Sequence, residues 1–239
     1  MNLKGHLTVG NLINLTIIEY KFNFLISYFP QYEKFFNKIY YYISFFYNSL
    51  NNLSNIEILN IFLLIILGSI FPDLDQLIKN IRTKDIHYTK YHRQFSHSLI
   101  LAISLIFSGW YINKFNIYNI YGIYLYYFGI GYLSHIFIDI FFGKGGIPLI
   151  YTKSWNSKYR LSIPLFDNEG YVANLLVIIS YILNTLILIL LVQKNCENLI
   201  YYGIYLTIFY IALQQKNTKN TFYLLFISIL IIEIIKYLF

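Results

Sequence analysis

Six apolar runs, each close to the length that crosses a bilayer, decide most of what this chain can become. They are Ile56–Phe71, Ser98–Ile112, Ile120–Phe142, Val172–Val192, Leu199–Leu213 and Phe222–Phe239. A helix needs about 20 predominantly apolar residues to span the hydrocarbon. The Ile56 and Leu199 runs are shorter, which tilt or partial burial accommodates. Hydrophobicity along the runs is continuous rather than alternating, and that selects helices over barrel strands. Only 12% of the residues are charged, about half of the roughly 25% found in soluble domains. Such a chain cannot build a soluble surface, so the expected fold is all-α, a polytopic transmembrane helical bundle.

The remaining segments are punctuated differently. Leu7–Ile18 reads as a first helix that Asn11 and Asn14 interrupt, retained rather than cleaved as a leader. Residues 19–55 are rich in aromatics and divided by Pro30; interfacial helices and a further hairpin are both open there. Asp73–Phe95 is a polar connection, and Gly143–Gly170 has the Gly and Pro content of a structured surface loop, with "YRLSIPLF" as a short extended element. Many Tyr and Phe fit the codon bias of an AT-rich genome.

Charge sets the orientation. If each clear run crosses once, Lys4, the basic residues of 79–93, those of 144–160, Lys216 and Lys219 share one side, twelve of the eighteen Lys and Arg. The positive-inside rule makes that side cytoplasmic. The positives form no stripe of the kind nucleic acid requires, so no direct nucleic-acid binding is expected. A single cysteine, Cys196, excludes an internal disulfide and a thiolate zinc site.

Against this background the ionisable residues are few, and several fall at helix ends or inside helices. Charged groups at membrane depth are costly and usually pair, bind ions or line a cavity. In "GYLSHIFIDIFF", His135 and Asp139 stand four apart, one turn apart on one helical face. They can share a divalent metal or simply hydrogen-bond to each other. In "GSIFPDLDQ", Pro72 should move Phe71 out of the helical region and end the helix. Asp73 and Asp75 then lie at the negative end of the helix dipole, where a cation would relieve them; solvated loop carboxylates are the alternative. In "YHRQFSHSLI", His92 and His97 are five apart, about 140° around a regular helix. A bent entry with Ser96 as N-cap would let both imidazoles converge, and Arg93 offers a fork for phosphate or carboxylate. A polar interfacial rim explains the same residues. His6 is a lone histidine near the start of the first helix, and His87 reads as a solvated loop residue.

Taken in order, "GHL", "PDLD", "HRQFSHS", "GYLSHIFID" and "GGIPLIYT" resemble the bacterial inner-membrane metal-dependent hydrolase family, also described as LexA-binding, inner-membrane-associated hydrolases. The resemblance covers about Gly5 to Leu165, with a longer insertion after the first helix than is usual. The HxxxD helix also looks like metal-binding helices of zinc-dependent phospholipase C. The resemblance implies a metal-dependent hydrolase-like membrane core over residues 1–170, with additional C-terminal transmembrane helices over 171–239. It implies a divalent metal, zinc among the candidates and one or two ions, held by His6, Asp73, Asp75, His92, His97, His135 and Asp139. Asp75, His97 and Arg93 would be catalytic: the first two are the likeliest proton acceptors and Arg93 the phosphate grip. The expected reaction is attack of metal-activated water on an ester, a phospholipid-type phosphoester in particular. Membrane lipid is then the expected partner, a LexA-like repressor follows from the resemblance alone, and the site faces the cytoplasm from the inner membrane. A non-enzymatic membrane protein, transporting ions or protons or docking a partner around a structural metal, is the alternative. Gln76, Gln94, Ser96 and Asn174 depart from the family pattern, where His, Gly, Thr and often Glu stand; these positions bear on a second metal more than on the core.

Overall fold

The computed structural model describes residues 3–22, 30–35, 37–38, 41, 50, 53–74, 95–115, 119–142, 147–148, 160–161, 169–193, 198–215 and 218–238. The described long helices are α1 (Leu3–Phe22), α2 (Asn55–Ile70), α3 (Leu99–Lys114), α4 (Asn119–Phe142), α5 (Glu169–Gln193), α6 (Asn198–Gln214) and α7 (Thr218–Leu238). The architecture is all-α. The extended surface element exists in miniature: β1 (Ile147–Pro148) pairs antiparallel with β2 (Arg160–Leu161), the second lying within "YRLSIPLF". The polar positions Asp75, His92 and Arg93, with most of residues 20–55, lie outside the described residues.

Each helix follows from its sequence, with two differences from expectation. Ser54 opens α2 through a reciprocal capping box: its hydroxyl accepts from the Glu57 N–H, and the Glu57 carboxylate accepts from the Ser54 N–H at 2.9 Å. At the other end α2 stops at Ile70, but Phe71 keeps a helical conformation (φ −58°, ψ −40°) and Phe71–Leu74 continue as a 3-10 turn. Pro72 therefore tightens the chain rather than turning it out of the helical region. Its own φ suits a helix, and a tightened turn tolerates the missing N–H. Likewise Asn11 and Asn14 do not interrupt α1, which runs unbroken through both. Both side chains are buried and bonded sideways to other helices, so they do not compete with the α1 backbone.

Helix α2 is the axis of the bundle, contacting α1, α4, α6 and α7; α3 packs on α4, and α5 lies against α1 and α6. Among the described residues, three helical segments are long and apolar enough to cross a membrane: Asn55–Leu74, Ile120–Phe141 and Tyr171–Ile189. The first is 72% buried within the bundle and the last only 17%, so α5 is peripheral. Its outward residues, among them Ile178, Ile182 and Leu186, are apolar, as a surface meeting lipid chains must be.

Close helix approach explains why distant residues meet. A Cβ on Gly131 of α4 would collide with the Ile65 carbonyl of α2, and one on Gly68 of α2 with the Phe128 carbonyl of α4. A Cβ on Gly10 of α1 would stand 2.8 Å from Ser69 Oγ. Small residues let membrane helices bring their backbones together in this way. Gly131 precedes His135 by one turn, Gly10 follows His6 by one turn, and Gly68 stands five residues before Asp73.

Candidate metal centre

The glycine crossings deliver five ligand-type side chains to one point. His6 comes from α1, Asp73 from the 3-10 turn after α2, His97 from the 3-10 turn Phe95–His97, and His135 and Asp139 from α4. His97 Nε2 stands 3.1 Å from His135 Nε2. It lies 3.5 Å from Asp73 Oδ1 and 3.6 Å from Asp139 Oδ2. His135 Nε2 is 3.4 Å from Asp139 Oδ2 and 3.8 Å from Asp73 Oδ1. His6 Nε2 is 3.8 Å from Asp139 Oδ1 and 4.0 Å from Asp73 Oδ2, and its ring stacks on His135 at 3.8 Å. Four of the five are buried; the Asp73 side chain retains 13% exposure, so the centre opens on its side.

Tautomers follow from the partners. His135 Nδ1 lies 2.8 Å from the Ser69 carbonyl oxygen. A carbonyl only accepts, so Nδ1 carries the proton and Nε2 of the neutral ring presents its lone pair to the cluster. A backbone acceptor behind the ring is the usual support of a metal-bound histidine. Ser96 Oγ stands 3.1 Å from His97 Nδ1; a hydroxyl can donate or accept, so this contact orients the ring and is compatible with either tautomer. Burial holds the His97 imidazole below its ordinary value, against the opposing pull of the Asp73 carboxylate. The neutral imidazole is the form a metal takes. Tyr132 of α4 donates its hydroxyl proton to the Ser96 carbonyl and ties the His97 turn to the helix carrying His135.

The donor set fits a divalent ion. Metal bonds of about 2.0–2.1 Å place neighbouring ligand atoms about 3.0–3.4 Å apart. The His97–His135 and His135–Asp139 separations, 3.1 and 3.4 Å, lie in that range, and the others are slightly wider. Two overlapping triads, His6–His135–Asp139 and Asp73–His97–His135, could each hold an ion. Both need His135, whose single lone pair serves one ion, so the described residues provide for one.

Sequence patterning alone pointed to His135, Asp139, Asp73 and His97, which the structure brings together, and equally to Asp75, His92 and Arg93, which lie outside the described residues. It gave no strong signal for His6, which the structure stacks on His135. It missed Ser69, whose carbonyl supports His135, and it assigned the N-cap of α3 to Ser96. The structure puts Ser98 there and gives Ser96 to His97. A Ser-x-Ser pair astride a histidine offers both, and only the path of the backbone decides.

A helical bundle with segments long and apolar enough to cross a membrane, and at one end a buried His/Asp cluster that could hold a metal ion, defines a class of membrane protein. Residues 45–234 match the family model described as YdjM inner membrane protein, and the chain belongs to that family. No curated protein and no solved structure matches the chain. The family match begins after α1, so His6 joins the centre from outside the matched region.

Proposed function

We propose that the chain is a multi-pass inner-membrane hydrolase with one divalent metal at its cytoplasmic face. The observation that carries the reading is chemical. Seven nitrogen and oxygen atoms from five side chains, three imidazole Nε2 atoms and the four oxygens of Asp73 and Asp139, crowd together at 3.1–4.0 Å. Like lone pairs repel, and burial enlarges that cost. One cation among them relieves every contact at once. Mixed nitrogen and oxygen ligands without thiolate suit zinc, manganese or iron.

His6, Asp73, His97, His135 and Asp139 would hold the ion. A divalent ion so held supplies Lewis acidity, acidifying a water and polarising an ester oxygen. The chain's own part is placement and proton handling. His135 is pinned by Ser69 and keeps its lone pair inward. Asp73, the most open of the five, borders the side where water and substrate enter. His97, and Asp75 in the adjoining polar segment, are positioned by sequence to take a proton, and Arg93 to grip an anionic oxygen. A site at the end of the membrane helices faces the headgroup level, so a lipid phosphoester is the preferred substrate.

The test is metal content and turnover of the detergent-purified chain. About one bound ion per chain and metal-dependent release of phosphate or headgroup from phospholipid micelles support the reading. Metal without turnover on any phosphoester would leave a structural or transport site instead, and ion flux in vesicles would then identify transport.

A further inference from the structure

The N-cap of α3, Ser98, directly follows His97, and its hydroxyl has no partner among the described residues. Ser98 occupies the N-cap with extended backbone (φ −79°, ψ 136°), the conformation from which a serine hydroxyl ordinarily bonds the first-turn amides, yet it makes no such bond. Its Oγ is fully buried and has no hydrogen-bond partner among the described residues. The first amides of a helix, here those from Leu99 onward, have no intrahelical acceptor. No acidic residue lies in that first turn, whereas α2 fills the same position with Glu57. A buried, unpartnered hydroxyl and the first-turn amides of a helix thus stand beside His97.

We propose that this helix end is the subsite for an anionic oxygen of the substrate, a phosphate or phosphoester group. The assignment rests on the metal-centre reading above and gives it a substrate class. Helix amino ends attract anions through their amides and dipole. A divalent ion would balance Asp73 and Asp139, leaving the helix end free to attract an anion. A tetrahedral phosphoryl group has enough oxygens to face the centre with one and Ser98 Oγ and the α3 amides with another. Tyr132 holds the approach rigid through the Ser96 carbonyl, and Ala102, buried against Tyr132, fixes the first turns of α3.

The experiment titrates inorganic phosphate, then phosphatidic acid in mixed micelles, into the full chain in detergent loaded with Co2+, following the cobalt absorption spectrum and binding heat. The wild-type chain should bind phosphate. Ser98→Ala should weaken binding about tenfold, the effect of one lost hydrogen bond to a charged group. Cobalt stoichiometry should not change, which also reports an intact fold, and Ser98→Thr should restore most of the affinity. Tighter binding of phosphatidic acid than of inorganic phosphate would assign a lipid substrate; equal binding would assign a soluble phosphate ester. Equal phosphate affinity in wild type and Ser98→Ala, or no phosphate binding to the cobalt-loaded chain, overturns the subsite while leaving the metal reading intact. If the chain takes up no cobalt, the metal reading fails separately. The same titration of the metal-free chain then decides the subsite, and no Ser98-dependent binding overturns it.

Discussion

Helices α2 and α4 meet carboxylates near both of their ends, a half-buried one at one end and a more deeply enclosed pair at the other, and the two places solve opposite problems. At one end Glu233 of α7 meets donors: Tyr124 of α4 gives its hydroxyl proton at 2.8 Å and Asn60 of α2 an amide N–H at 2.5 Å. At the other end Asp73 and Asp139 meet the Nε2 atoms of three imidazoles, and a neutral His135, protonated on the Nδ1 that faces the Ser69 carbonyl, turns a lone pair toward them. A carboxylate with two donors is satisfied by the protein and works as a clasp between helices. Carboxylates and imidazole lone pairs gathered in one place are the arrangement that a cation relieves. Polar side chains and carboxylates occur at both ends, so their presence alone does not identify a functional site. The donor and acceptor balance does.

The sharpest way to break this comparison is to delete the needy end. The double substitution His135→Ala, Asp139→Ala should reduce bound metal, measured by mass spectrometry, to background. That loss exceeds the roughly 10–100-fold cost of outer-shell changes around metal sites. Normal occupancy in this variant would show that the cluster is not the metal site. Next in size is the crossing that assembles it. Gly131→Leu places a side chain against the Ile65 backbone, where nothing flexible can yield. Overpacking of this kind costs about 1–3 kcal/mol and sometimes more. Thermal unfolding in detergent should shift down and metal binding should weaken in the same variant. A stable Gly131→Leu protein with full metal content would mean that the α2–α4 approach does not position His135.

How much of this was legible beforehand depends on whether a residue's partners lie within its own segment. His135 and Asp139 declare themselves because helical periodicity joins them. Asp73 is marked by Pro72, and six apolar runs state the bundle directly. His6 carries no local mark, since its meaning comes from stacking on a ring 129 positions further along. Asn11 and Asn14 carry a misleading mark. Read locally they break a helix, but in the fold they anchor it: Asn11 donates to Ser180 of α5 at 2.7 Å, and Asn14 donates to Tyr205 of α6 at 2.9 Å and to the Phe62 carbonyl at 3.0 Å. Codon bias accounts for a high tyrosine count, yet Tyr205, Tyr202 and Tyr132 are buried with their hydroxyls bonded. Composition cannot separate such tyrosines from incidental ones, because the difference is an interhelical contact.

The satisfied end supplies the next test. Glu233→Leu removes the acceptor from Tyr124 and Asn60 and leaves buried donors unpaired, at a cost of about 1–3 kcal/mol. The unfolding midpoint should fall while metal content stays at the wild-type level. Loss of metal here would mean that the two ends are coupled along α2 and α4, and the comparison would have to be redrawn.

The smallest expected effect comes from the middle of the bundle. Tyr205 donates to Asn11 Oδ1 and accepts from Asn14 Nδ2, so one hydroxyl links α6 to two positions of α1. Tyr205→Phe keeps the ring and its packing against Phe62 and removes only that hydroxyl. Interhelical hydrogen bonds in membrane bundles contribute about 0.6 kcal/mol on average, because the separated helices find other partners. Two such bonds are lost, so a destabilisation of about 1 kcal/mol is expected, read as a small downward shift of the unfolding midpoint. His6 rides on the same helix, two turns from Asn14, but the Gly10–Ser69 crossing lies between them and holds α1 against α2 independently. Metal affinity should accordingly stay within about twofold of wild type, well under the 1.4 kcal/mol that a tenfold change represents. A tenfold loss would show that the amide and phenol network, rather than the glycine crossing, sets the position of His6.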